Sequence, residues 1–302
     1  MRQTTTQMTT VFREMLNRPG VIHAPIAYDP LTARIAQQAG FRCLDLGGYA
    51  LGASLCVPEA LLSLEEVVAA TRRITAAVNI PLMTDAGAGY GDAAHVVRTV
   101  QEFERAGAAA IHMEDQVYPK RAHYHRGIEH LISADAMCEK IRYAVRARRD
   151  PDFVIAARTD AMITDGFAEG VRRANLYAEA GADMVMIFPN SLDEARRAPK
   201  EIKSPLIFVN SEGNRLGRPL LPVQELEQMG YKMVNDAISA VSVAYRSVKE
   251  LFLHLKQTGR TGMDQAVFVP TRKEIEDTIG LNDYYRIEEE TVEKEATKKG
   301  TS

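Results

Sequence analysis

Short apolar runs recur along the chain, each separated from the next by room for one helix. They lie near 21-VIHAPIAY, 43-CLDLGGY, 81-PLMTDA, 109-AAIHMED, 153-FVIAARTD, 184-MVMIFP, 205-PLIFVN and 231-YKMVNDA. Each is nearly continuous in apolar character rather than alternating, as a strand buried on both faces of a parallel sheet should be. Between them, 64-LEEVVAATRRITAAV, 93-AAHVVRTVQEFERAG, 134-ADAMCEKIRYAVRARR and 168-AEGVRRANLYAEAG place apolar residues at i, i+3, i+4 and i+7, one face of a helix. Several helical stretches end alike, at 38-QAGF, 106-AGAA, 180-AGAD and 229-MGYK, where a glycine takes the left-handed position past the last turn at little cost. Eight strand-helix units predict a (β/α)8 TIM barrel, with an open doubly wound sheet as the alternative.

The 302 residues do not by themselves demand two domains, because barrels of this kind run to about 250 residues as one unit. The repeating pattern stops near residue 260, so residues 1–260 are read as the barrel and 261–302 as a C-terminal helical extension and tail. The stretch 271-TRKEIEDTIGLNDYYRIEEETVEKEATKKG has charged helical character and a lysine-rich end. A composition of 46% hydrophobic and 25% charged residues suits a folded core, and a net charge of −3 gives no basic footprint for nucleic acid. The N-terminus shows no apolar export segment, and no later run is long enough for a membrane span. Cys43, Cys56 and Cys138 fit neither a disulfide framework nor a zinc site, which points to a reducing cytoplasm.

In such a barrel the chemistry sits at the C-terminal strand ends. The polar residues there are Tyr28 and Asp29, Gly47 and Gly48, Asp85, Glu114 and Asp115, Arg158 with Thr159 and Asp160, Asn190, Asn210 with Glu212, and Asn235 with Asp236. Asp85 and Glu114, closing neighbouring strands, are a pair of hard oxygen donors of the kind magnesium accepts, and Arg158 has the fork to hold a carboxylate. An acid at a strand end also serves as a helix N-cap or ion-pair partner. The loop 116-QVYPKRAHYHRG gathers Lys120, Arg121, His123, Tyr124, His125 and Arg126, which suits either a lid carrying proton donors or a solvated basic loop. The glycines of 84-TDAGAGYGD lack the Lys-Ser/Thr ending of a phosphate loop, and 47-GG leaves backbone N–H groups open to a ligand.

With these residues in view the sequence resembles the isocitrate lyase and phosphoenolpyruvate mutase superfamily. The likeness is carried by 27-AYDPLTARIAQQAGF, 47-GGYALGAS with 58-PE, 84-TDAGAGYG, 114-EDQVYPKR, 155-IAARTDA, 177-YAEAGAD and 212-EG. It implies a (β/α)8 barrel with a swapped eighth helix, assembled as a homotetramer of two helix-swapped dimers. It also implies Mg2+, with Mn2+ as a substitute, and a small carboxylic acid substrate cleaved through an enolpyruvate. By the same resemblance Asp85 and Glu114 hold the metal. Tyr28, Gly47, Gly48, Asp85, Arg158, Asn210 and Glu212 meet the substrate, while Arg158, His123, Tyr124 and His125 are the catalytic candidates.

The chain departs from the family pattern at three places. Gly87 replaces the second acid of the Asp-x-Asp motif, Ala122 replaces the cysteine acid of the lyase loop, and 188-FPNS replaces the usual strand-6 ending. The mutase loop is absent too, and Glu59 stands near that branch's aspartate. The expectation is a magnesium-assisted C–C lyase or decarboxylase acting on a 2-oxo or 2-hydroxy dicarboxylate of the oxaloacetate or substituted malate type. A P–C bond enzyme and a barrel diverted to binding are the alternatives.

Overall fold

The computed structural model describes residues 7–214 and 216–293; residues 1–6 and the end of the lysine-rich tail lie outside them. Eight strands form one sheet: β1 (Ile22–Pro25), β2 (Leu44–Leu46), β3 (Leu82–Asp85), β4 (Ala110–Glu114), β5 (Val154–Arg158), β6 (Met184–Ile187), β7 (Leu206–Asn210) and β8 (Met233–Asp236). Every neighbouring pair is parallel, in the order β1-β8-β7-β6-β5-β4-β3-β2. A parallel bridge between Ile26 and Asp45 joins β1 to β2 and closes the ring, so the fold is the (β/α)8 barrel and not the open sheet. Every residue of β2, β3, β4 and β6 is buried, which accounts for their unbroken apolar letters.

The intervening helices start where side chains satisfy their first N–H groups. Ser63 and Glu66 form a reciprocal capping box ahead of Leu64–Thr75, Asp92 caps Ala93–Arg105, and Ser133 caps Ala134–Ala147. Their apolar stripes, such as Val96, Val100 and Phe103, bury against the sheet. Past Arg105 the chain turns at Gly107, whose φ of 84° is the left-handed conformation that glycine adopts freely.

Inside the ring, Ala24, Met83, Ala110, Ala156, Met184, Met186, Ile207 and Met233 pack with Phe12 from the helix Met8–Asn17. Arg13 of that helix pairs with Asp183, just ahead of β6, at 2.7 Å. The helix therefore stoppers the N-terminal end of the barrel, and the C-terminal end is left for chemistry.

The chain divides into two compact units, Met1–Ser242 and Val243–Ser302. The helix Ser239–Thr258 begins in the first and continues in the second, which also contains the helices Gln265–Thr278 and Leu281–Glu290. Sequence reasoning ends the barrel unit at residue 260, where the strand-helix pattern stops, just past the end of the long helix at Thr258. Among the described residues no helix is long and apolar enough to cross a membrane.

Candidate active site

β3 ends on Asp85, and two glycine turns converge on its carboxylate. The Gly87 amide donates to Oδ1 at 2.8 Å, and the Gly48 amide, at the start of the helix Gly48–Leu55, donates to Oδ2 at 3.2 Å. A Cβ at Gly48 would lie 2.8 Å from Glu59 Cγ and 3.1 Å from Asp85 Oδ2, so the close approach excludes a side chain. Burial would raise the Asp85 pKa, but His112, Lys120, Arg158 and the Gly87 amide outweigh it and hold the carboxyl at about 2. Gly87 has φ of 51°, and no heavy atom lies within 4 Å of where its Cβ would be.

A second cluster surrounds Lys120. Its Nζ is 2.6 Å from Glu59 Oε1, 2.8 Å from Glu114 Oε1, and 4.0 Å from the centroid of the Tyr124 ring. The Tyr124 hydroxyl donates to Glu59 Oε2. Burial favours loss of the Lys120 proton, but Glu114 and Glu59 reverse that and raise its affinity. Glu114 is also 3.1 Å from Arg158 Nη1, yet neither of its buried oxygens is aligned in a hydrogen bond.

Arg158 closes β5 in register with Glu114. Its fork is taken by Asp160, at 3.0 Å from Nε and 3.1 Å from Nη2, and its Cζ lies 4.7 Å from the Phe188 centroid. The fork expected to receive a substrate carboxylate is thus engaged within the chain. Asp115, next to Glu114, accepts from Tyr177 and Thr159 at 2.7 Å each and ties β4 to its surroundings.

Part of this cluster, including Glu59, Asp85 and Arg158, borders a cavity of about 520 Å³, ample for a small acid. Gly47, Gly48, Asp85, Tyr124, His125 and Arg158 line it, with Glu114 buried behind them. Tyr124 and His125 belong to a short helical turn, Ala122–Arg126, and the His125 ring sits edge-on to Tyr49, with centroids 5.7 Å apart. His123 is exposed and does not line the cavity.

Three residues expected to meet substrate lie elsewhere. Tyr28 is half-buried against the helical layer, where its amide donates to Thr32, and its neighbour Asp29 caps the helix Pro30–Gln38. Glu212 is exposed and outside the lining. Asn210 turns to the backbone of Leu221, giving its Nδ2 to the carbonyl at 2.8 Å and receiving the amide on Oδ1 at 3.2 Å.

The cavity floor contains a group that the sequence reading passed over. His112 on β4 has Nε2 3.7 Å from Asp45 Oδ1 and Nδ1 3.7 Å from Asp85 Oδ1, and among the described residues neither nitrogen has a partner at hydrogen-bond distance. Asn235 on β8 donates to Asp45 Oδ2 at 2.6 Å. The signal was present as polar letters inside buried apolar runs, 43-CLDL and 109-AAIHM, where a lone Asp or His needs a polar surrounding.

Among the described residues no cluster of three or more His, Cys, Asp or Glu side chains is arranged to hold a metal ion. Magnesium asks less, since it keeps several waters and is bound through one or two carboxylates and substrate oxygens. Asp85, held ionised, and Glu114, whose buried oxygens face Lys120 and Arg158 without an aligned hydrogen bond, fit a hydrated ion of that kind.

The chain matches the model of the phosphoenolpyruvate phosphomutase family over residues 12–256. It is 38% identical to a 2-methylisocitrate lyase of Aeropyrum pernix, over 94% of this chain and 91% of that protein. It is 37% identical to a 2,3-dimethylmalate lyase of Eubacterium barkeri, over 91% and 95% respectively. Among solved structures, a phosphonopyruvate hydrolase in complex with oxalate and Mg2+ superposes with a TM-score of 0.85 and 31% identity, over 95% of this chain and 100% of that one. The barrel, the acids at its strand ends and these matches together make the chain a member of the phosphoenolpyruvate mutase and isocitrate lyase superfamily.

Proposed function

We propose that this carbon–carbon lyase acts with magnesium on a small 2-oxo or 2-hydroxy dicarboxylate, of the oxaloacetate or substituted malate type, through an enolpyruvate. The observation that carries the reading is the convergence of Asp85, Glu114, Lys120 and Arg158 at the C-terminal mouth of the barrel. Held by Asp85 and, through water, by Glu114, magnesium would supply Lewis-acid stabilisation of the enolate oxygen. Lys120 and Arg158 add fixed positive charge beside the same space, in surroundings where charge is weakly screened. The lyase loop of relatives presents a thiol acid where this chain has Ala122. Tyr124, hydrogen-bonded to Glu59 and facing the cavity, is the hydroxyl placed to hold or deliver a proton in its stead. Decarboxylation suits such a site, because loss of carbon dioxide leaves an enolate and needs no thiol to protonate a second acid product.

The test is release of pyruvate from oxaloacetate, 2-methylisocitrate and dimethylmalate, with and without magnesium, and with phosphonopyruvate included for P–C cleavage. Magnesium-dependent turnover of one of the first three is expected. Turnover of phosphonopyruvate alone would move the protein to the P–C branch, and no turnover together with no magnesium binding at millimolar metal would overturn the reading.

The open space beside Gly87 gives a more local prediction. Gly87→Asp is expected to cost about 1 kcal/mol for a side chain in left-handed backbone. It should also tighten magnesium about tenfold by adding a charge to the shell. Calorimetric titration with magnesium chloride checks this, and an unchanged affinity would separate Gly87 from the metal.

The same reading extends to assembly and location. Val243, Tyr245 and Phe252, on the part of the long helix within the second unit, are each more than 60% exposed, an apolar surface that a second copy of the chain would cover in a helix-swapped homotetramer. Cys43, Cys56 and Cys138 are all unpaired, in keeping with a cytoplasmic enzyme.

A further inference from the structure

Arg158 does not have the cavity's positive wall to itself. Arg218, in the loop between β7 and the helix Val223–Met229, lines the same cavity, and its Cζ lies 4.9 Å from the centroid of the Phe188 ring that Arg158 also faces. The two guanidiniums differ in what they hold. Arg158 is paired with Asp160 and Glu114, whereas Arg218 has its Nε buried without a hydrogen-bond partner, and among the described residues no carboxylate forms an ion pair with it. Burial and the neighbouring Arg158 lower its proton affinity, against the opposing pull of Asp160 and Glu129 at longer range. A mostly buried cation left in this state is costly unless an anion joins it.

The loop is built to keep Arg218 there. Its amide donates to Asn214 Oδ1 at 2.8 Å, and Asn214 Nδ2 returns to the carbonyls of Ser211 at 3.0 Å and Arg218 at 3.2 Å. Three residues on, Leu221 is clasped by the Asn210 side chain. The backbone at Arg218 is therefore fixed on both sides, which reduces what the side chain must lose to bind. Glu129, on the same cavity wall, has its carboxyl raised to about 7, first by burial and then by Asp160, so it neutralises Arg218 incompletely.

We propose that Arg218 is a specificity-determining residue that binds a second carboxylate of the substrate, beyond the one at the oxo- or hydroxy-acid end. The proposal rests on the reading of this site as one for 2-oxo and 2-hydroxy acids. It makes the substrate a dicarboxylate because of a residue in the β7 loop rather than because of Arg158. Asn210 and Asn214 are then positioning residues for that subsite.

The experiment is calorimetric titration of the full chain, in magnesium, with racemic malate and with racemic 2-hydroxybutyrate. The two share a 2-hydroxy-acid end and four carbons, and differ in a carboxylate against a methyl group. The wild type is expected to bind malate about 10- to 100-fold more tightly, and Arg218→Gln to lose that margin while its affinity for 2-hydroxybutyrate stays within about twofold. Arg218→Lys should keep part of the margin, as a charge without the fork. A margin that survives in Arg218→Gln, or a variant weakened equally toward both acids, would overturn the assignment of Arg218. Equal binding of both acids by the wild type would overturn it too and leave the hydroxy-acid reading standing. Failure of the wild type to bind either acid would overturn that reading, and the proposal with it.

Discussion

Asp85→Asn is expected to lower kcat/KM by about 10³-fold, on the scale seen when one preorganised charge or donor is removed from a buried site. The carboxylate is held near pKa 2 by His112, Lys120 and Arg158, so the wild type carries a full negative charge here across the physiological range. Asparagine keeps the shape and one acceptor oxygen but removes the charge and sets an NH2 group against either the Gly48 or the Gly87 amide. The same variant should lose the rise in melting temperature that magnesium gives the wild type. Retention of both turnover and that rise would show that Asp85 is not the metal carboxylate.

Lys120→Met should damage stability and chemistry together. The ammonium lies between Glu59 and Glu114, whose side chains are 9% and 1% exposed, and its removal leaves two buried carboxylates facing each other, Glu59 without a cation and Glu114 with Arg158 alone. Breaking a buried pair in this way costs about 3–5 kcal/mol, which in a unit of this size lowers the melting temperature by roughly 10 °C. Turnover measured well below that temperature should still be reduced about 10²-fold. Pairing the change with Glu59→Gln removes the stranded charge, so the double variant should regain part of the stability and none of the activity. A double variant as active as the wild type would reduce Lys120 to a structural counter-ion.

The barrel was legible because its signals are local. Strands buried on both faces leave continuous apolar letters, Ser63, Asp92 and Ser133 mark helix starts, and a glycine such as Gly107 marks a helix end. Within the cavity, Asp85, Gly48, Arg158 and Tyr124 were readable for the same reason, since each closes a strand or sits in a dense loop. What escaped were pairings made only when the ring closes. Asp45 and Asn235 are 190 positions apart in sequence, and Glu59 and Lys120 are 61 apart. Nothing local tells Asn210 to clasp Leu221 rather than face the cavity, because both outcomes satisfy its amide equally. The occupation of Arg158 by Asp160 was open to view, since 158-RTD puts the acid two residues along, within reach of the fork.

Gly87 bears on how such a site changes over generations. Its backbone already has the left-handed conformation that aspartate tolerates better than most residues, and the space beyond it is open. Every glycine codon lies a single base from a codon for aspartate or glutamate. A lineage with this turn can therefore gain or shed a charge at its reactive centre in one nucleotide step, with no remodelling of the loop around it.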